Sequence, residues 1–423
     1  RTSPALTSFL YFLCMFFKLL LFRSFLILNL SRDIFLFLFL LIEKYFGLID
    51  LRGGLLVLIV VVLGYKQWRI KSLFSTYIWM VYFFMFLSAI SSYVYRGQTI
   101  SQSFSAEPTL LYLLFYFVLK RYHMTIIQIE KIIYISSLLF VISYIIQYMI
   151  YPIAIFSGAA VVNPEIDDVR FRLIGQGLAS VGLFMGFNKY IINRNKRYLC
   201  LFLGAVFVIV LLGFRTMMAC SIFFLIWMYV RIKGFNFKNL CYLFLGGIVF
   251  ICLLNIPVFY EKIIFMIERN ATDNFSNDDY VRIVNFNYFI NEHFNNTIEW
   301  LLGTGIPNEH SSYGFYMLSE LALRQITYVD WGLLGLSWTA GIGTVVVMIM
   351  YSVRAITLKV DNSYFYINVW FMYMLMISIT TMEFYREGNL AIQAILLYLV
   401  EMTYTEKKKN YENTTCQYNY TNV

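Results

Sequence analysis

Arg172, Arg215 and Arg324, with Arg170 and Arg282 as secondary candidates, are the side chains least easily explained as packing. A guanidinium is always charged and offers a planar fork that grips phosphate or carboxylate through two hydrogen bonds. Arg170 and Arg172 precede an apolar run, and Arg215 lies between two such runs in Leu-Leu-Gly-Phe-Arg-Thr. Arg282 and Arg324 belong to a long polar stretch. Converging at one mouth of a bundle, several of them would hold a diphosphate; singly, each could pair with a nearby acid or a lipid headgroup. His310, in Glu-His-Ser-Ser, is the best candidate for a general base, because imidazole titrates near ~6.5. Asp330 directly precedes Trp331, where it could orient a hydroxyl or cap a helix. His293 reads as an exposed residue of a surface helix.

Composition sets what must position these groups. Of 423 residues, 60% are hydrophobic, 19% aromatic and only 13% charged. A soluble domain carries roughly 25% charged residues, so too few are present to cover a water-exposed globule. Apolar runs approach the ~20 residues that cross a ~30 Å hydrocarbon core. The fold expected is an all-α polytopic membrane protein with 12–13 transmembrane helices. The candidate spans lie near 34–49, 54–65, 73–95, 108–119, 132–152, 176–190, 198–213, 216–230, 239–256, 331–351, 363–381 and 388–404, with 8–30 as a thirteenth. A net charge of +9 raises the question of nucleic acid, but the basic residues are scattered between apolar runs, so no nucleic-acid partner is expected. The six cysteines form no CxxC pair, and no phosphate-binding loop, HExxH or GxSxG motif occurs; neither a metal nor a cofactor is expected.

Positive charge orients the spans. Alternate connections carrying Lys66/Arg69/Lys71, Lys120/Arg121/Lys131, Lys189/Arg194/Lys196/Arg197, Arg231/Lys233/Lys238, Arg354/Lys359 and Lys407–Lys409 hold 18 of the 33 Lys and Arg. This set, with the 405–423 tail, is expected to be cytoplasmic, and the polar tail reads as disordered. Residues 1–256 then form an N-terminal transmembrane bundle, 257–330 a large periplasmic loop and 331–404 the last spans. The loop contains 10 of the 24 acids, and at that length it should be partly helical and fold on the membrane surface. Asn277-Asp278-Asp279 predicts a helix start running to about Asn291. Ser311/Ser312 predicts a second, from Tyr313 to about Gln325, with Phe315, Leu318, Leu321 and Ala322 on one face. Such a helix would separate His310 from Arg324 by roughly 20 Å, so the two would not meet one phosphorus atom.

Over about 34–404 this layout resembles the Wzy-type O-antigen polymerases and the related O-antigen ligases. The resemblance rests on the spans, Arg215 between two of them, and the long loop ending GTGIPNEHSSYGFYMLSELALRQITYVDWGLLG. Arg324 and Gly335 fit an R-x10-G pattern of such polymerases, whereas Arg172 to Gly182 is one residue short. His310-Ser311-Ser312 matches the start of the ligases' H-x-[NSQ]-x9-G, with Ala322 in place of the glycine. The resemblance implies a metal-independent, cofactor-free glycosyltransferase in the bacterial inner membrane. It would polymerise undecaprenyl-diphosphate-linked oligosaccharide repeats at the periplasmic face, among membrane lipids and alongside a chain-length regulator protein. Arg172, Arg215 and Arg324 would bind the diphosphate, His310 would act as base and Asp330 would orient the acceptor. A ligase transferring glycan to a lipid A-core acceptor is the alternative, and a lipid-linked oligosaccharide flippase is the alternative of another class. A flippase would be expected to bury charges mid-span and to repeat internally; the central regions of most spans are uncharged, and no repeat is evident.

Overall fold

The computed structural model describes residues 61–106, 108–151, 160–163, 168–171, 175–239, 280–386 and 388–421, with isolated positions between them. The expected spans 8–30 and 34–49, residues 54–60 of the 54–65 run and nearly all of 239–256 lie outside the described residues, as does Arg172.

The described chain is helical. Helices α1 (Ser75–Arg96), α2 (Ile100–Ala106), α3 (Phe115–Arg121), α4 (Ile126–Met149), α5 (Gly177–Asn193), α6 (Lys196–Leu212) and α7 (Arg215–Lys233) make the first part. After residue 280 come α8 (Val281–Asn291), α9 (Thr297–Leu302) and α10 (Ser312–Phe315), the last extended by a π-helical turn (Tyr316–Glu320) and a closing turn (Leu321–Leu323). Then follow α11 (Gly332–Ala340), α12 (Ile342–Thr357), α13 (Phe365–Ile377) and α14 (Asn389–Thr421). Among the described residues α1, α4 and α7 are long and apolar enough to cross a membrane. A short antiparallel hairpin, β1 (Ala160–Asn163) with β2 (Asp168–Phe171), joins α4 to α5, which the reading of the sequence did not include.

Local signals fix the helix ends. Thr125 and Gln128 form a capping box at α4, and Asn195, Asn296 and Ser311 accept from the first-turn amides of α6, α9 and α10. The core buries Trp370, Tyr373, Phe184, Phe140 and Tyr144. Outward-facing positions are apolar too: Phe83 on α1, Ile127 on α4 and Phe223 on α7 are 57%, 79% and 58% exposed. A helix apolar on both faces suits a hydrocarbon surrounding rather than water.

The two ends of the bundle differ. One gathers the basic residues into ion pairs, Lys120–Glu401 at 2.9 Å, Lys189–Glu130 at 2.5 Å and the exposed Lys407–Asp361 at 2.9 Å. The other carries the hairpin and the 280–331 segment and is called here the loop end. Four expectations need correction. The 331–351 run is broken at Gly341 into α11 and α12, because Gly341 takes a left-handed φ of +86°. The 108–119 run is a 3-10 turn (Pro108–Leu114) followed by α3, not one helix. Helix α8 starts at Val281, beyond the Asn277–Asp279 signal, with no side-chain cap. The tail is not irregular: α14 runs on to Thr421.

The break has a partner. Helix α9 descends beside α1 and ends at Gly303, and the backbone amides of Thr304 and Gly305 donate to the carbonyls of Trp338 and Thr339 at 3.0 and 2.9 Å. Ser88 donates to the same Thr339 carbonyl at 2.6 Å. Ser88 lies eight residues before the end of α1, so the 303–305 tip sits on the order of 10 Å below the loop end. Segment 297–308 is therefore re-entrant, and it satisfies the carbonyls freed by the break, as irregular backbone at membrane depth requires. Gly303 permits this contact: at φ +84°, a Cβ there would stand 2.5 Å from the Gly341 nitrogen.

Candidate functional site

At the loop end, Gln176, Glu383, Arg386 and Asn389 form a buried polar cluster. Arg386 Nε lies 2.8 Å from Glu383 Oε1, off the line of a hydrogen bond, so this contact is an ion pair; Arg386 Nη1 donates to Gln176 Oε1 at 3.1 Å. Asn389 donates to Glu383 Oε2 at 3.4 Å and accepts from the Gly177 amide at 2.9 Å, supplying the cap that α5 lacks in its own sequence. The side chain of Glu383 is 2% exposed and that of Arg386 is 15% exposed. One edge of the Arg386 fork is thus fixed by a carboxylate and an amide, while the group keeps a limited opening to the surroundings. Such fixation orients a guanidinium for bidentate work.

Two sequence candidates come to the same mouth. Gln176 also donates to Met217 Sδ at 3.5 Å, which sets it against the first turn of α7, where half-buried Arg215 is the first residue. Half-buried Asp330 sits in a 3-10 turn (Val329–Trp331) that packs on the Met382–Phe384 turn preceding Arg386. It does not cap α11, whose cap position is Trp331.

Of the others, His310, Arg324 and Arg282 do not join this cluster. His310 is solvated: its side chain is 72% exposed, with Glu309 at 3.6 Å, and its peptide is held by Asn308 and Gln102. Arg324 is exposed after the closing turn of the 312–323 helix. Half-buried Arg282 contributes its carbonyl to the Trp331 indole at 3.1 Å. Arg170 pairs with Val161 across the hairpin through the backbone. Reading the sequence missed Arg386, although the signal was there: Glu383 and Arg386 stand i, i+3 at the edge of an apolar run, where an ion pair is costly unless it is used. Among the described residues no three His, Cys, Asp or Glu side chains converge as metal ligands.

A second buried cluster seats the 280–331 segment on α1. Arg96 grips Glu299 through Nε at 2.5 Å and Nη2 at 3.0 Å and also donates to the His293 carbonyl. His293 is buried, contrary to the surface position expected for it; its Nε2 lies 3.1 Å from Thr304 Oγ1, which in turn meets the Tyr313 hydroxyl at 2.7 Å. Gln98 adds bonds to Asn308 and Ser311 at 3.0 and 2.7 Å. Burial first, and the Arg96 charge second, push the His293 imidazole from 6.5 down to about 3. In the unfolded chain it takes a proton near 6.5; in the docked segment it does not until about 3. Stability is therefore full above 6.5 and falls as the pH drops through that window, by about 1.4 kcal/mol per pH unit. Thermal unfolding between pH 7 and 5 should show this slope, and His293→Gln should flatten it.

No protein-family model matches the chain, and no curated protein matches it.

Proposed function

We propose that this chain is a polytopic membrane glycosyltransferase that polymerises undecaprenyl-diphosphate-linked oligosaccharide repeats at the loop end of its bundle. The observation that carries the reading is the mouth in which Gln176 stands between Arg386 and the Arg215 turn, walled by helices with apolar outer faces. Two arginines at the end of a hydrocarbon-compatible bundle suit a diphosphate whose lipid tail stays in the bilayer. Their forks would stabilise the charge that grows on the leaving diphosphate. Asp330, at the same mouth, would orient the acceptor hydroxyl, and solvated His310 is the candidate base. Under this reading the loop end is periplasmic and the basic end, with the C-terminus, is cytoplasmic. A reporter after Lys408 should be cytoplasmic and one near Asn274 periplasmic; the reverse would overturn the sides.

The functional test is complementation of a deletion strain. The deletion should leave single repeats on the surface glycan and remove long chains. Arg215→Lys and Arg386→Lys, which keep charge but lose the fork, should lower elongation roughly a hundredfold, about 3 kcal/mol in the barrier, with the protein still in the membrane. An unchanged chain-length ladder in the deletion would reject the polymerase. Loss of all glycan from its lipid anchor would support the ligase instead.

The broken α11–α12 span and its re-entrant partner favour a second reading, a lipid-linked oligosaccharide flippase, because discontinuous helices are a recurring feature of transporters. In that case the deletion would trap lipid-linked repeats on the cytoplasmic leaflet and abolish single repeats as well as chains.

A further inference from the structure

The 312–323 helix has two apolar faces. Tyr313, Met317 and Leu321 are buried against Phe289, Ile326 and Trp338. This reverses the face expected from the sequence: of that set only Leu321 is inside, and Phe315, Leu318 and Ala322 point outward. Leu323 is the most exposed large apolar side chain of the described residues at 88%, with Phe315 at 54% and Leu318 at 42%. The outward arc carries a single charge, Glu320, at its edge.

The position of this face decides what covers it. Phe286 packs on Trp331 and Phe289 stacks on Trp338, with ring centroids 5.0 and 4.5 Å apart. Phe286 and Phe289 are three residues apart, so α8 follows α11 over about 5 Å. The 312–323 helix covers α8 from the far side, with Tyr316 meeting Tyr288 at 3.3 Å between hydroxyls. Its inner face meets the 303–305 tip, Tyr313 to Thr304 at 2.7 Å, so the helix packs at the depth of that tip and not above the bundle. The same 280–331 segment already joins the apolar exterior of the bundle: Leu301 and Leu302 of α9 line a groove with Met80, Phe84, Val346 and Met350 of α1 and α12. Exposed Arg324 follows the helix at its C-terminal end, where a cation suits both the helix dipole and a lipid phosphate.

We propose that the outer face of the 312–323 helix is inserted in the headgroup–acyl boundary of the bilayer, with Arg324 on lipid phosphate. The partner is a lipid surface, and the helix is a membrane-embedded element instead of part of a water-facing domain. An interfacial helix of this kind buries its apolar face roughly 5–10 Å into the boundary. The inference rests on the membrane reading above. It also gives Arg324 a partner other than the substrate.

The test places an environment-sensitive fluorophore at single cysteines, with native cysteines replaced, in the full chain in nanodiscs with or without acyl-chain doxyl lipid. Leu318→Cys and Ala322→Cys serve as independent sites, and Phe83→Cys reports on the α1 face. Blue-shifted emission, quenched at least twofold by doxyl lipid at 318 or 322, is expected. Water-like emission at both sites with a quenched signal at 83 would overturn the inference while leaving the membrane reading intact; water-like emission at 83 as well would overturn both. Blue emission that doxyl lipid does not quench would assign the face to a protein, such as a second copy of this chain, and also overturn it.

Discussion

Glu299→Leu should unseat the 280–331 segment and destabilise the protein by about 3–5 kcal/mol, because it leaves the Arg96 guanidinium without its counter-charge. Glu299 is fully buried, and both its oxygens are used: Arg96 takes Oε1 and Oε2, and the Asn295 amide donates to Oε2 at 2.7 Å. Removing the carboxylate strands a charge whose side chain is only 17% exposed. The double variant Arg96→Met/Glu299→Leu should recover much of the loss, since a buried pair replaced by apolar groups is often near neutral. Thermal unfolding in detergent and protease access to residues 281–325 report both outcomes. An unchanged melting temperature in Glu299→Leu alone would show that the segment docks without this pair.

Gly335→Ala should be a strongly damaging methyl addition in α11. A Cβ there falls within the van der Waals radius of the Tyr328 carbonyl, and a backbone atom cannot turn aside as a flexible side chain can. The turn at 328–331 would have to lift from α11, carrying Asp330 away from the Met382–Phe384 turn. Forced shifts of this kind cost about 1–3 kcal/mol and occasionally more. The effect on activity should exceed the effect on stability, because Asp330 belongs to the mouth. Ala322→Gly, on the exposed side of the 312–323 helix, should cost no more than about 1 kcal/mol, the ordinary helix penalty for glycine. Melting temperature and chain-length ladders of both variants check the contrast. Equal effects would show that the Tyr328 approach is not tight.

Composition and period made the helical class legible, and the positive clusters marked which helix ends belong together, as the Lys120–Glu401 and Lys189–Glu130 pairs illustrate. Asn296 and Ser311 acted as the caps their residue types announce. What local pattern could not give was tertiary. Nothing near Gly341 in sequence reveals that 297–308 will descend to meet it, because the acceptors Trp338 and Thr339 and the donors Thr304 and Gly305 are more than thirty residues apart. His293 looked exposed for the same reason: its polar partners Arg96 and Thr304 both lie outside the helix that precedes it. The 312–323 helix offered two apolar faces, and periodicity alone does not choose between them. Arg386 was legible as an exception to the charge rule, but its partner Gln176 lies 210 residues away.

The re-entrant tip also imposes an order on biogenesis. Its descending wall, α1, leaves the ribosome some 200 residues before Glu299, while the carbonyls that receive Thr304 and Gly305 are made after it. Until α11 and α12 have entered the bilayer, the 297–308 segment has a docking ion but no backbone partner. It must therefore wait at the surface, tethered through Arg96, and seat only when the broken span arrives. Seating of the tip is in this sense a late event of synthesis, and chains truncated before Trp338 would leave the Thr304 and Gly305 amides without their acceptors.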